Sequence, residues 1–175
     1  MYKVRELSIK DIEIINNWRN DSELINNLGA PFRYINKEVD NQWYENYMNN
    51  RTNNVRLALV TEENDKILGL ISLTNINFIF RSAELHIMIG NIKDRGKGLG
   101  TFALDKMLYH AFRNLNLNRV ELSLLATNNA KLLYEKKGFE VEGVKREAAY
   151  KNGNYIDVIE MAILRKRYDD INGEN

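Results

Sequence analysis

Residues 82–104 read SAELHIMIGNIKDRGKGLGTFAL, and this stretch decides the fold of the chain. Its first eight residues place Ala, Leu and two Ile on one face and Ser82, Glu84, His86 and Met88 on the other, which is typical of a β-strand. Glycines follow at 96, 98 and 100, and an apolar stripe with helical spacing then covers residues 99–115. A strand, a glycine-rich turn and a helix in this order predict one unit of an α/β fold, with a loop that a ligand can approach closely.

Other elements extend this unit in both directions. We predict further strands over residues 3–7, 55–61, 67–75, 120–125 and 155–164, a strand ending at 150, and helices within 11–28 and over 37–49 and 128–137. Residues 151–154 read KNGN, and the Asn-Gly pair predicts a two-residue turn between the last two strands. We therefore expect an α/β (α+β) fold, in which a mixed sheet carries helices on both faces.

Composition limits the classes of function. The chain has 175 residues, which predicts a single domain over 1–168, followed by a polar C-terminal tail over 169–175. Its 25 basic and 24 acidic residues give a net charge of +1, which argues against binding to nucleic acid or to a membrane surface. The absence of cysteine excludes disulfides, thiolate metal sites and cysteine nucleophiles, and two histidines predict no metal centre. Without a targeting segment or an apolar run long enough to cross a membrane, we expect a cytoplasmic protein.

The glycine loop has three interpretations before any resemblance is considered. A nucleotide P-loop requires G-x-x-x-x-G-K-[ST], and here Asn91 occupies the position of the first glycine and Gly98 follows Lys97. A dinucleotide loop requires G-x-G-x-x-G/A, which residues 98–103 match, so an NAD-dependent oxidoreductase remains an alternative. An ordinary surface turn is the third, but three alternating glycines beside Arg95 and Lys97 exceed what a turn requires.

Several motifs together resemble the GCN5-related N-acetyltransferase (GNAT) superfamily. R-x-x-G-x-G at 95–100 resembles its pyrophosphate loop, residues 83–90 resemble its central strand, and residues 128–139 resemble its A-x-x-x-Y-x-x-x-G-F helix. The closing segment 150–161 and the early Trp18-Arg19-Asn20-Asp21 resemble the RimJ/RimL-like branch, which includes polyamine and nucleotide-aminosugar acetyltransferases. The matches extend from Trp18 to Met161, which is most of the chain.

This resemblance implies a mostly antiparallel GNAT-like sheet with a central strand splay. It also implies acetyl-CoA as co-substrate, no metal, and a primary amine as acceptor, which attacks the thioester directly in a ternary complex. A peptide N-terminus, a polyamine and a nucleotide-linked aminosugar all remain open as that acceptor, and a homodimer is compatible with the resemblance. A non-catalytic acyl-CoA-binding sensor on the same fold is the alternative from another class.

The resemblance also assigns the residues that bind the co-substrate. They are Ile87, Met88, Ile89, Arg95, Gly96, Lys97, Gly98, Gly100, Thr101, Asn128 and Lys137. The strand backbone at 87–89 would donate a hydrogen bond to the thioester oxygen, which gains charge during the reaction. The family usually has Asn where this chain has Thr127, so either Thr127 or Asn128 would bond to the pantetheine arm.

Two residues are candidates for proton transfer. Tyr134 occupies the family's Tyr position and would protonate the leaving thiolate, although it could also only pack between helix and strand. Glu84 would remove the amine proton directly or through water, or only position the substrate ammonium, and His86 ranks behind it on the same face.

The acceptor is expected to bind to the first third of the chain. Candidate contacts are Arg19, Asn20, Phe32, Arg33, Tyr34, Trp43 and Tyr47, although aromatic residues at helical spacing more often form core. The acidic residues Glu38, Asp40 and Glu45 would attract a polyamine or form a solvated helix face.

Overall fold

The computed structural model describes residues 1–173. A seven-stranded sheet with the order β1-β2-β3-β4-β5-β7-β6 forms the centre of this part of the chain. The strands are β1 (Tyr2–Glu6), β2 (Val55–Thr61), β3 (Ile67–Asn77), β4 (Ser82–Ile89), β5 (Arg119–Leu125), β6 (Glu140–Lys151) and β7 (Asn154–Leu164). Neighbouring strands are antiparallel except for the β4–β5 pair, which is parallel. The prediction of a mixed, mostly antiparallel sheet is therefore confirmed.

Helices cover both faces of this sheet, as predicted. They are α1 (Ile12–Arg19), α2 (Ser22–Asn26), α3 (Lys37–Asn49), α4 (Leu99–Tyr109), α5 (Lys131–Lys136) and α6 (Arg165–Asn172). One core cluster joins Leu104 of α4 and Tyr168 of α6 to one sheet face, and a second joins Ile15 of α1 and Tyr47 of α3 to the other. Within residues 1–173, no helix has the length and apolar character that crossing a membrane requires.

Successive side chains of β4 point to opposite faces of the sheet, so this one strand contributes to both core clusters. Ala83 and Leu85 belong to the cluster beneath α4, whereas Met88 packs against the cluster beneath α1 and α3. Glu84 and His86 lie on the same face as Met88, because successive side chains point to opposite faces of a sheet. The polar stripe of the strand is thereby directed toward the face that α1 and α3 cover in part.

The central strands separate along their length. In the described part of the chain, β4 and β5 pair only at Ser82–Arg119, Ala83–Val120 and Glu84–Glu121. Beyond this point β4 stays paired with β3 as far as Ile89, and β5 stays paired with β7 as far as Leu125. A gap therefore opens between residues 85–89 and 122–125, which we call the wedge. It confirms the predicted splay of the central strands.

Local sequence signals specified several elements closely. The predicted helix 37–49 coincides with α3, and Asn152 and Gly153 form the hairpin turn with φ of +49° and +83°. The helix predicted over 99–115 ends as α4 at Tyr109 and continues as a π-helical turn to Asn114. The helix predicted from Asn128 begins at Lys131, because the Asn128 side chain accepts a hydrogen bond from the Ala130 N–H and stabilises a turn instead.

The C-terminal boundary differs from the prediction. The polar tail predicted for 169–175 begins inside α6, where Tyr168 packs against Phe112 with ring centroids 4.9 Å apart and Asp169 pairs with Arg113 at 2.7 Å. Polar composition misled the prediction, since α6 buries only one aromatic side chain among otherwise polar and charged residues. Residues 174 and 175 of that predicted tail lie outside the described residues.

Candidate active site

The glycine loop lies between the end of β4 and the start of α4. Gly96 and Gly98 have φ of +73° and +81°, a backbone conformation that glycine adopts without steric cost. Gly98 is the N-cap residue of α4 and has no side chain that could bond to the first N–H groups of the helix. The Phe102 N–H donates to the Gly98 carbonyl. The N–H groups of Leu99, Gly100 and Thr101 precede Phe102, the first residue whose N–H is bonded within the helix, so they have no partner in α4 and can donate to a ligand. Together with the positive end of the helix dipole, they form an anion-binding site suited to a pyrophosphate.

The glycine at 100 serves packing rather than backbone conformation. A Cβ on Gly100 would lie 3.1 Å from the Leu133 side chain of α5. The first turn of α4 is therefore in close contact with α5, which carries Tyr134 in the next position. Of the predicted phosphate contacts around it, Arg95 is half-buried, whereas Lys97 and Thr101 are exposed.

The open edge of β4 offers backbone donors to the wedge. The Gly90 N–H donates to the Leu68 carbonyl of β3 at 2.9 Å, and the β3–β4 register is regular from Ile89 back to Glu84. Because backbone groups alternate between the two sides of an antiparallel strand, the N–H groups of Ile87 and Ile89 point away from β3, into the wedge. The Met88 N–H points toward β3 instead. Of the three predicted residues, Ile87 and Ile89 therefore present their N–H groups to the wedge, whereas the Met88 N–H belongs to the pairing with β3.

Glu84 lies at the point of the wedge, in the last residue pair that joins β4 to β5. Its Oε2 accepts a 2.8 Å hydrogen bond from Asn75 Nδ2 and lies 3.8 Å from His86 Nε2. The same His86 nitrogen is 3.0 Å from Thr74 Oγ1. Burial lowers the pKa of His86, the nearby Glu84 opposes this shift and Arg56 adds to it, so the imidazole is neutral at pH 7.

A group of carboxylates surrounds Glu84 on the same sheet face. We call it the carboxylate face: Glu84, Glu121 of β5, Glu142 of β6 and Glu160 of β7, with the cations Arg119 and Lys145. Arg119 donates to Glu121 at 2.9 Å and to Glu142 at 2.7 Å, and Lys145 pairs with Glu160. The four glutamates are 35–48% exposed, so the face is open to solutes. Four carboxylates and two cations leave a net charge of −2, which attracts cationic ligands. Sequence reasoning missed this group because its members come from four different strands.

Tyr134 is buried on α5, with its ring against Phe139 at a centroid distance of 5.7 Å. Burial raises the pKa of Tyr134 to about 12, so its hydroxyl keeps its proton at neutral pH. Within residues 1–173, no group accepts a hydrogen bond from this hydroxyl, which leaves it available to a ligand. The packing explanation and a chemical role are therefore compatible: the ring packs, and the hydroxyl is free.

Two other predicted contacts with the co-substrate are engaged in protein bonds. Asn128 accepts from the Ala130 N–H at 2.9 Å and donates to the Asn27 carbonyl at 3.1 Å. Lys137 pairs with Asp105 of α4. Thr127, the alternative to Asn128 for the pantetheine arm, is exposed.

The motif Trp18-Arg19-Asn20-Asp21 has structural roles. Trp18 packs so closely over Gly90 that a Cβ there would lie 1.9 Å from its ring. Arg19 pairs with the fully buried Asp40, and Asn20 accepts from the Ile35 N–H at 3.0 Å. Asp40 therefore does not attract a polyamine, and Gly90 at the end of β4 is required by its close packing against Trp18.

The aromatic residues of α3 contact a cation. Arg56 of β2 lies over the Trp43 ring at 4.7 Å and over the Tyr47 ring at 5.7 Å. All three residues line a polar pocket of about 510 Å³, whose other side chains are mostly asparagines and include Asn75. Of the remaining predicted acceptor contacts, Phe32 and Tyr34 pack edge to face at 5.2 Å, with Tyr34 largely exposed.

Known proteins resemble the chain over nearly its whole length. The family described as Acetyltransferase (GNAT) domain matches residues 3–140. A spermidine N(1)-acetyltransferase of Vibrio cholerae serotype O1 is 32% identical over 163 residues, which are 86% of this chain and 91% of that protein. The crystal structure of spermidine N-acetyltransferase from Vibrio cholerae in complex with CoA and spermine has a TM-score of 0.88 and 29% identity, covering 95% of this chain and 97% of that one. A putative ribosomal N-acetyltransferase of Bacillus subtilis, YdaF, is 33% identical over 104 residues, which are 59% of this chain and 56% of that protein.

Proposed function

The chain belongs to the GNAT family of N-acetyltransferases, and on that premise we propose that it acetylates a primary amine of a polyamine such as spermidine. The observation that carries this choice of acceptor is the net negative carboxylate face around the point of the wedge. A polyamine carries several ammonium groups, and only the one that reacts must lose its proton. The remaining ammonium groups can pair with carboxylates, whereas the phosphates of a nucleotide-linked aminosugar would be repelled by them. The spermidine acetyltransferases among the similar proteins support the same class of acceptor.

Acetyl-CoA supplies the acetyl thioester, and the residues around the wedge fit its parts. The free N–H groups at the start of α4, together with Arg95 and Lys97, would hold the pyrophosphate. The wedge would take the pantetheine arm, whose amides need backbone partners. The Ile87 and Ile89 N–H groups would then face the thioester oxygen, where negative charge develops.

The proton transfers fall to Glu84 and Tyr134. In this proposal Glu84, directly or through one water, takes a proton from the substrate ammonium and leaves a neutral amine, which forms the new N–C bond. As the C–S bond breaks, the Tyr134 hydroxyl donates a hydrogen bond, then a proton, to the leaving thiolate. The raised pKa of Tyr134 keeps the donor protonated in the resting enzyme. After the transfer, the second amine proton restores the Tyr134 hydroxyl, and Glu84 releases its proton to solvent.

An acceptor panel tests the function. The protein is incubated with acetyl-CoA and spermidine, spermine, a peptide with a free N-terminus or a nucleotide-linked aminosugar, and release of free CoA thiol is measured, with mass spectrometry of the product. We expect acetylated polyamine and little product from the other two classes. Turnover with only the peptide or the aminosugar would overturn the polyamine assignment.

A charge variant tests the observation itself. The double variant Glu121→Gln/Glu160→Gln removes two carboxylates and should raise the KM for spermidine about tenfold, while the KM for acetyl-CoA stays unchanged. Glu63→Gln, in the exposed turn between β2 and β3, is the matched control. A KM for spermidine that neither the double variant nor added salt changes would remove the role of the carboxylate face.

Membership of the family removes the oxidoreductase alternative, because the loop that matched a dinucleotide motif lies in an acetyltransferase domain. The enzymes among the similar proteins support an N-acetyltransferase over a non-catalytic sensor, and turnover in the acceptor panel distinguishes the two. Placement in a RimJ/RimL-like branch, a homodimer and a cytoplasmic location stay predictions. They do not affect the choice of acceptor.

A further inference from the structure

A β-bulge interrupts β3 beside Glu84. The β3–β4 register is regular up to the Thr74–Glu84 pair and resumes at Asn77–Ser82. Two residues of β3, Asn75 and Ile76, therefore face one residue of β4, which is the geometry of a bulge. Asn75 has a φ of +52°, a conformation that asparagine tolerates better than other non-glycine residues.

The bulge changes where the Asn75 side chain points. In a regular strand, the residue after Thr74 would face the opposite side of the sheet from Glu84. Here Ile76 takes the buried position in the α4 core, and the Asn75 amide donates to Glu84 Oε2 at 2.8 Å. Bulges are frequent next to active sites, because they redirect a side chain at a defined position.

We propose that Asn75 is the positioning residue of Glu84, a role that rests on the proposed function. The amide occupies Oε2 and fixes the carboxylate at the point of the wedge. Within the described residues, Oε1 has no hydrogen-bond partner, so it is the oxygen that meets the substrate ammonium or its water.

Charged and titratable groups from several elements face Glu84. His86 lies beside it on β4, Glu121 is opposite it on β5, and Lys145 of β6 interacts with both glutamates. Arg56 of β2 acts on His86 from the side of α3. A pH profile therefore reports on the whole group, and the effect of Asn75 must be separated from it by paired variants.

Two substitutions separate the amide from the bulge. Asn75→Gly deletes the donor but keeps a residue that accepts positive φ, and should lower kcat for spermidine about tenfold without changing the KM for acetyl-CoA. Asn75→Asp keeps the shape but brings a second carboxylate close to Glu84, so the acidic limb of the kcat–pH profile should move to higher pH. Asn116→Gly, at φ +54° and bonded to Arg81 and Arg165 instead, is the control and should retain wild-type kcat.

A double-variant cycle with Glu84→Gln completes the test. If Asn75 acts through Glu84, adding Asn75→Gly to Glu84→Gln lowers kcat no further. Wild-type kcat and pH profile in both Asn75 variants, with a slow Glu84→Gln, would overturn this inference and leave the proposed function intact. Wild-type kcat in Glu84→Gln would overturn both the base and its positioning residue. If the acceptor panel yields no acetylated polyamine, the proposed class of acceptor is refuted, independently of the Asn75 variants. Thermal unfolding of each variant verifies that it is folded.

Discussion

The two sides of the active site are built differently. The cofactor side, residues 85–101 with α5, presents backbone N–H groups from one continuous strand–loop–helix segment. We call the other region the acceptor side: residues 18–40, where the sequence predicted the acceptor, with the β6–β7 hairpin, which carries Glu142 and Glu160 of the carboxylate face. It depends on side chains that meet across long stretches of chain. Arg19 pairs with Asp40, 21 positions away, and Asn26 Nδ2 donates to Asn152 Oδ1, 126 positions away. Backbone geometry follows a local motif, whereas the acceptor side exists only once the chain has folded.

Lys151 shows the second kind of construction most clearly. It is buried at the end of β6 and donates to the carbonyls of Ile25 and Ala30, so it connects α2 and the segment after it to the hairpin. Burial lowers the pKa of this lysine. Among the described residues of the cofactor side, no buried charged side chain bonds to carbonyl groups from a distant part of the chain in this way.

The largest expected effect is on stability, at the acceptor side. Asp40→Ala leaves Arg19 without its buried partner and removes the 2.7 Å bond from Asn16, which should lower the free energy of unfolding by about 3 kcal/mol. Glu45→Ala, exposed on the same helix, should change it by less than about 0.5 kcal/mol. Urea unfolding measures both. Equal losses would mean that the acceptor side does not depend on this long-range pair.

The next effect is chemical and lies on α5. Tyr134→Phe keeps the ring contact with Phe139 but deletes the hydroxyl, so kcat for spermidine should fall about 100-fold while KM changes little. Stability should be unchanged, because no group of the described residues bonds to this hydroxyl. Release of CoA thiol measures the rate, with Tyr109→Phe on the exposed side of α4 as the control. Wild-type turnover at all pH values would leave Tyr134 with packing alone.

A smaller effect tests the backbone of the cofactor side. Gly98→Val should weaken binding of CoA more than tenfold, since a β-branched residue strains at a φ of +81° and displaces the N–H groups after it. Gly143→Val is the control, because a Cβ has no atom within 4 Å at Gly143, as at Gly98, so both positions have room for the added side chain. Isothermal titration calorimetry with CoA compares the two. Similar affinities in both variants would show that the conformation of the loop does not matter.

The smallest effect is a pH dependence at the junction of the two sides. The pKa of His86 is lowered in the fold from 6.5, so the unfolded chain binds more protons as pH falls. Unfolding free energy should therefore decrease below about pH 6.5, and His86→Gln should lose that share of the decrease. Burial also lowers the pKa of His110, so this residue still contributes its own part of the decrease in unfolding free energy in the variant. Urea midpoints at neutral and acidic pH measure the slopes, and identical slopes in wild type and variant would contradict the shift. We expect a small change because the His86 side chain is 58% exposed.

Sequence reasoning predicted the cofactor side better than the acceptor side for a physical reason. Glycine spacing, a strand pattern and a helix start are local, so residues 82–104 alone predicted the loop, and the Asn-Gly pair alone predicted the last turn. The partners of Arg19 and Asn20 carry no local signal, and both residues were expected to contact the acceptor instead. The bulge at Asn75 was also missed, because the predicted strand 67–75 ended at this residue, whereas β3 continues through the bulge to Asn77.

By itself, the sequence determined the family, the sheet with helices on both faces, and the backbone conformation that Gly96 and Gly98 supply. Those features follow from periodicity and from the freedom of glycine, which act over a few residues. Only the tertiary structure brought Asn75 to Glu84 and gathered four glutamates from four strands into one net negative face. Strand order and register decide such neighbours, and they depend on contacts along the whole chain.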